Sequence, residues 1–163
     1  MKNRVAQFGV FVALALIFSY VETLVPVFFV VPGMKLGLAN LVTVIVLYKL
    51  GGKEAFWVLT VRVLLAGFLF GNLFSILYAM AGGALSFAVM VIAKKSGKFS
   101  VMGVSIAGGA FHNVGQLIVA VLVVETYSVT YYLPVLLVAG EVTGFLIGVL
   151  SDRMLKTLKK INL

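Results

Sequence analysis

The chain has 163 residues, 63% of them hydrophobic and only 11% charged, and its mean hydropathy is +1.19. A soluble domain needs more charge to cover its surface, so we predict an integral membrane protein. The net charge of +8 does not indicate a nucleic-acid-binding protein, because the basic residues are sparse and stand at the ends of apolar runs, and the absence of cysteine excludes disulfides and thiolate chemistry.

We predict an all-α bundle of six membrane-spanning helices in a single domain, residues 1–163. About 20 apolar residues are needed to cross the hydrocarbon core. The first run has no small-residue cleavage pattern, so we expect a retained span and not a signal peptide. The predicted spans are 5–25, 36–50, 55–70, 73–93, 101–124 and 132–150, of which the second and third are short.

The positions of lysine and arginine predict that both termini are cytoplasmic. Basic residues concentrate in the cytoplasmic loops of membrane proteins. With the N-terminus inside, eleven of the thirteen basic residues lie on the cytoplasmic side, and only Lys35 and Arg62 do not. We therefore expect a multi-pass protein of a bacterial-type cell membrane, surrounded by the lipid bilayer.

The connection between the first two spans, ETLVPVFFVVPGMK at 22–35, is apolar and contains two prolines. Two interpretations are open. The segment is either a re-entrant element that acts as a lid or a hydrophobic turn in the headgroup layer.

Small residues recur at four-residue spacing in three places. This spacing lets helix backbones approach closely in lipid. It predicts either tight packing inside the bundle or a docking face for another membrane protein. The residues are Gly9 and Ala13, Gly67 and Gly71, and Gly140, Gly144 and Gly148.

Two ionisable side chains, Arg62 and Glu141, stand near the middle of predicted spans. A charge at that depth costs about 2.5–3.5 kcal/mol on insertion scales, so it usually faces protein or a water-filled cavity. The two residues either form a structural ion pair with each other or contact a ligand.

A polar stripe lies on the fifth span, in GGAFHNVGQL at 108–117. Gly109, His112, Asn113, Gln116 and Ala120 follow helical spacing and share one face. Each polar group needs a partner away from water, either on another helix or on a ligand. We interpret the stripe as the polar wall of a binding cavity.

Other polar residues are expected to share this cavity, from the middle of the membrane outward. Cationic groups in the depth and at the rim suit an anionic or hydrogen-bonding ligand. The predicted substrate-binding residues are Lys35, Asn40, Arg62, Asn72, His112, Asn113, Gln116 and Glu141.

Motifs for catalysis and metal binding are missing from the sequence. It contains no GxxxxGK[ST] phosphate loop, and its single aspartate, Asp152, cannot form the carboxylate cluster that clamps a diphosphate through magnesium. The only histidine, His112, has no aspartate within a span to build a catalytic triad. We predict no enzyme activity, no metal and no cofactor.

Two segments carry a family resemblance, VPGMKLGLANLVTVIVLYKLGGKEAFWVLTVRVLLAGFLFG at 31–71 and GGAFHNVGQLIVA at 108–120. They resemble the Gx transporter family, also described as heptaprenyl diphosphate synthase component I-like. That family is similar to the substrate-binding S components of energy-coupling factor (ECF) vitamin transporters. The matching positions are Pro32, Gly33, Lys35, Leu36, Gly37, Asn40, Arg62, His112, Asn113 and Gln116.

The resemblance implies a six-helix protein with both termini in the cytoplasm. It would bind substrate from outside, in a pocket under the loop between helices one and two, and would topple beside a coupling protein driven by two ATPases. The sequence departs from the AxxxA docking pattern of helix one, since only Gly9 and Ala13 have that spacing. A coupling module and a stand-alone role are therefore both open.

Two functions from different classes follow. The first is a membrane protein that binds and transports a small anionic or ring-bearing metabolite, such as a vitamin, a flavin or an isoprenoid or quinone precursor. The alternative is a non-catalytic membrane subunit that recruits or regulates a polyprenyl diphosphate synthase or a membrane redox assembly.

Overall fold

A computed structural model describes residues 2–24, 37–125 and 127–160. This part of the chain contains six α-helices and a 3-10 helix, Tyr127–Tyr132, but no strand. Lys35 and most of the predicted lid lie outside the described residues. The α-helices are α1 (Lys2–Leu24), α2 (Leu38–Lys49), α3 (Gly52–Phe70), α4 (Leu73–Ser96), α5 (Val101–Val124) and α6 (Leu133–Lys160).

Four helical segments are long and apolar enough to cross a membrane: Arg4–Leu24, Leu73–Ser96, Val101–Val123 and Thr130–Lys160. The chain is therefore an all-helical, multi-pass membrane protein. The remaining two helices, α2 and α3, do not meet this standard among the described residues, because α2 is short and α3 carries three charged side chains. The count of six spans and the orientation of the termini stay predictions.

The short helix α2 forms the centre of the bundle, where it packs against α1, α3 and α6. Its 12 residues rise about 18 Å, a length typical of a buried core helix. Every residue from Leu41 to Leu47 is buried, as expected for a helix that is apolar on all sides. At its end, Lys94 Nζ donates a 2.6 Å hydrogen bond to the carbonyl oxygen of Leu47, which gives this terminal carbonyl a partner.

Glycines bring α5 and α6 into close contact. A β-carbon on Gly109 would overlap the carbonyl oxygen of Gly140, and one on Gly144 would lie 2.7 Å from the carbonyl oxygen of Ser105. These glycines serve packing within the bundle, which is one of the two roles expected from their spacing. On α1, by contrast, a β-carbon on Gly9 would meet nothing within 4 Å.

The last helix, α6, continues ten residues beyond the predicted end of the sixth span, from Leu150 to Lys160. Leu155 and Leu158 pack against the core from this extension, and Asp152 forms a 2.6 Å ion pair with Lys156 one turn later. The charges that end the apolar run therefore do not end the helix, because the segment keeps an apolar stripe at helical spacing.

Candidate functional site

A polar cavity of about 150 Å³ lies where α1 ends and α2 begins, and it extends between α3, α4 and α5. Four of the eight predicted substrate-binding residues line it: Asn40, Arg62, His112 and Gln116. The other polar side chains in its lining are Ser19, Glu22, Thr23 and Ser75, and the larger apolar ones are Val63 and Phe70.

Arg62 is the buried cation of this cavity. Helix α3 positions it about two and a half turns before Gly71, which also lines the cavity, and the residue is only 9% exposed. Its Nη2 donates a long, 3.4 Å hydrogen bond to Asn40 Oδ1 on α2, while its Nε has no hydrogen-bond partner among the described residues. A buried guanidinium with an unmet donor is costly, so an acceptor placed beside Nε would stabilise it.

Glu22 supplies the opposite charge from α1. It lines the same cavity, and its carboxylate interacts electrostatically with the guanidinium of Arg62. Glu22 Oε1 also accepts a 2.6 Å hydrogen bond from the backbone N–H of Leu38, at the start of α2. That N–H is one of the first four of α2, which have no acceptor within the helix, so Glu22 supplies one from α1.

One wall of the cavity comes from α5, through His112 and Gln116. Gln116 is 6% exposed, so its amide faces the interior of the bundle. Gly82 of α4 permits this arrangement, since a β-carbon there would lie 2.7 Å from Gln116 Cγ and 2.8 Å from the carbonyl oxygen of His112. The close approach of α4 and α5 therefore positions the polar wall.

Three predicted binding residues lie away from the cavity lining. Asn113 donates a 2.6 Å hydrogen bond to the carbonyl oxygen of Leu136 on α6. Asn72 caps the start of α4 in a reciprocal arrangement with Ser75. Glu141 is exposed on α6, and the described part of the chain has no ion pair between it and Arg62.

Sequence reasoning missed the contribution of α1. Ser19, Glu22 and Thr23 line the cavity, and their i, i+3, i+4 spacing is the signal that would have placed them on one helical face. Glu22 lies where the predicted first span and the connection that follows it overlap, which makes this signal weaker. The cavity offers charged and hydrogen-bonding groups. The described residues hold no cluster of three metal-ligating side chains.

The fold and the cavity together define a helical membrane protein with an internal cavity that is lined in part by polar side chains. Residues 11–154 match the family model described as heptaprenyl diphosphate synthase component I. The chain belongs to this family, and the family resemblance expected from segments 31–71 and 108–120 is confirmed. Neither the curated proteins nor the solved structures include a match to the chain.

Proposed function

We propose that this protein binds a small polar metabolite in the cavity around Arg62, as the substrate-binding component of a membrane transport system. The observation that carries the proposal is the buried guanidinium of Arg62. Within the part of the chain that the structure describes, its Nε lacks a hydrogen-bond partner and its Nη2 has a long bond to Asn40. An ionisable group inside a membrane bundle is costly, and such groups are commonly functional. An anionic or hydrogen-bond-accepting group of the ligand would complete its hydrogen bonding.

The neighbouring side chains support recognition of a specific compound. Asn40, His112 and Gln116 present amide and imidazole groups from two further helices, and Phe70 supplies an aromatic wall. A few convergent polar groups in a partly apolar pocket are the usual arrangement of a ligand site. Vitamins, flavins and isoprenoid or quinone precursors are the substrate classes to compare.

We propose a coupling partner on the exposed side of α1. Gly9 and Ala13 are both exposed, and Gly9 makes no close contact within the bundle, unlike the glycines of α5 and α6. Small residues on an open helix face suit close contact with another membrane helix. An ECF-type coupling protein with its ATPases is the partner that the resemblance to S components suggests.

The family description favours a second candidate function. It refers to component I of a heptaprenyl diphosphate synthase, which suggests that the chain is a non-catalytic membrane subunit of such an assembly. The two functions differ in what the cavity does. A recruiting subunit has no need of a ligand on Arg62, whereas a substrate-binding component depends on it.

A thermal-unfolding screen of the protein in lipid nanodiscs tests the proposal. Wild type and Arg62→Met are heated with members of each substrate class. A compound at about 100 times its Kd stabilises the folded state by about 2.7 kcal/mol, so one class should raise the Tm of wild type but not of the variant. Equal shifts in both proteins, or no shift with any class, would refute binding at Arg62.

The proposal also requires the cavity to open outward, which cysteine labelling tests. The chain has no native cysteine, so single replacements give a clean signal. Ser128→Cys, in the 3-10 helix, should react with a membrane-impermeant thiol reagent in intact cells, and Lys98→Cys, between α4 and α5, should not. Labelling at position 98 but not at 128 would reverse the orientation.

A further inference from the structure

We infer that a groove between α1, α2 and α6 binds one anionic phospholipid of the surrounding bilayer. One acyl chain lies in the groove, and the phosphate lies beside Lys49 and Gln7. The groove and the cavity at Arg62 share no lining residue among those that the structure describes. The inference is therefore independent of the proposed transport function.

The groove is long and apolar. Its volume of about 400 Å³ exceeds the 150 Å³ of the polar cavity. Buried Val42 and Ile45 of the central helix α2 form its floor. Its lining on α1 extends from Ala6 to Phe18, a rise of about 18 Å. This shape suits an extended hydrocarbon chain.

The groove opens sideways, toward the lipid. Leu14 of α1 and Met154 of α6 stand on its two walls, and they are 38% and 43% exposed. Since α1 and α6 both belong to the helical segments that are long and apolar enough to cross a membrane, an occupant can enter directly from the bilayer.

The polar side chains of the described lining, Lys49 and Gln7, lie at the same end of the groove. Helices α1 and α2 are antiparallel, because Glu22 near the end of α1 accepts a hydrogen bond from the N–H of Leu38 at the start of α2. Gln7, in the second turn of α1, therefore lies at the same end of the bundle as Lys49, the last residue of α2.

Both polar side chains can donate to an anion. Lys49 is the charged member of the described lining, and neither it nor the Gln7 side chain has a hydrogen bond or an ion pair to another described residue. By contrast, Lys156 pairs with Asp152, and Lys94 donates to a carbonyl at the end of α2. A phosphate accepts strong hydrogen bonds from ammonium and amide donors, and basic pockets between membrane helices bind anionic head groups.

The side chains of the groove favour a lipid chain over a partner helix. Close contact between helices in lipid needs small residues at the interface. On α1 these are Gly9 and Ala13, which do not line the groove. The groove side of the same helix carries Phe11, Leu14 and Phe18 instead, whose bulk keeps another backbone at a distance.

Native mass spectrometry of the delipidated full chain tests the charged end of the site. The chain is titrated with phosphatidylglycerol and with phosphatidylcholine of the same acyl chains. We expect wild type to bind phosphatidylglycerol about fivefold more tightly, the effect of one basic residue on an anionic lipid. Lys49→Gln should remove this preference, because it removes the charge but keeps a donor. Lys95→Gln, at an exposed lysine of α4, is the matched control and should keep it.

A second pair of variants tests the apolar part. Val10 lines the groove and is 58% exposed, so Val10→Trp should fill the groove and weaken the binding of both lipids. Val142, which is 55% exposed on α6 and does not line the groove, gives the control Val142→Trp, which should bind both lipids like wild type.

Three results would overturn the inference. The first is equal binding of the two lipids by wild type, and the second is a preference that survives Lys49→Gln. The third is a lipid-free dimer of wild type that Val10→Trp dissociates, since a second copy of the chain would then cover the groove.

Discussion

Two regions that share α5 use the same helical face in different ways. At the cavity, His112 and Gln116 stand with Arg62 around open space. Toward α6, Gly109 lies against the Gly140 carbonyl and Asn113 donates a hydrogen bond to the carbonyl of Leu136. Helical spacing identifies which polar residues share a face of α5. The neighbouring helix determines whether each of these residues packs against that helix or lines the cavity.

The packed region should respond most strongly to added volume. Gly109→Ala places a β-carbon onto the Gly140 carbonyl oxygen, and overpacking of this kind typically costs about 1–3 kcal/mol. We expect a clear fall in Tm and in the yield of monodisperse protein. Size-exclusion chromatography and thermal unfolding in detergent measure both.

Gly9→Ala is the matched control, because its β-carbon meets nothing within 4 Å. Alanine is favoured over glycine in helices by about 0.5–1 kcal/mol, so this variant should be as stable as wild type or slightly more stable. Similar losses from the two substitutions would mean that glycine spacing on α5 has no special packing role.

The cavity should respond most strongly to loss of charge. Arg62→Met removes a buried cation but keeps much of its volume, and replacing buried charge with apolar groups is often neutral or stabilising. A lost hydrogen bond to a charged group costs about 1.5–3 kcal/mol, which is about ten- to a hundredfold in affinity. We expect Arg62→Met to bind the metabolite found in the screen more weakly than wild type. Its Tm, measured without ligand, should not fall below that of wild type.

A matched pair of smaller substitutions separates the two regions directly. Gln116→Ala should weaken binding about two- to tenfold, through loss of one neutral hydrogen bond, with little change in Tm. Asn113→Ala should leave the affinity of the folded protein unchanged and lower its stability by about 0.6 kcal/mol, the average for a hydrogen bond between membrane helices. Titration of each variant with the same metabolite, beside its unfolding curve, gives both quantities. If Asn113→Ala weakened binding and Gln116→Ala lowered stability instead, Asn113 and not Gln116 would belong to the site.

Apolar run length predicted most of the helices, since each of the six predicted segments overlaps one α-helix. It could not predict that α2 is the buried centre, because burial depends on which helices surround it. It did not predict that α6 continues to Lys160, because the charges near Arg153 bear on the end of the span and not on the end of the helix. The burial of α2 and the full length of α6 therefore depend on how the helices pack, which hydropathy alone does not predict.

The cavity lining was predictable where several polar groups converge from different helices, as for Asn40, Arg62 and Gln116. It was less predictable where a polar residue has a local role. Asn72 followed by Ser75 three residues later is a capping signal, and the structure has this cap at the start of α4. The contact of Glu22 with the start of α2 joins residues 16 positions apart, which spacing alone does not reveal.

Native mass spectrometry of the intact protein, released from nanodiscs after gentle purification, tests the central claim most directly. The account predicts one non-lipid compound bound per wild-type chain, retained by Asn113→Ala and lost from Arg62→Met. A wild-type chain without such a compound, or an equal amount of it on Arg62→Met, would contradict a binding site built around the buried guanidinium.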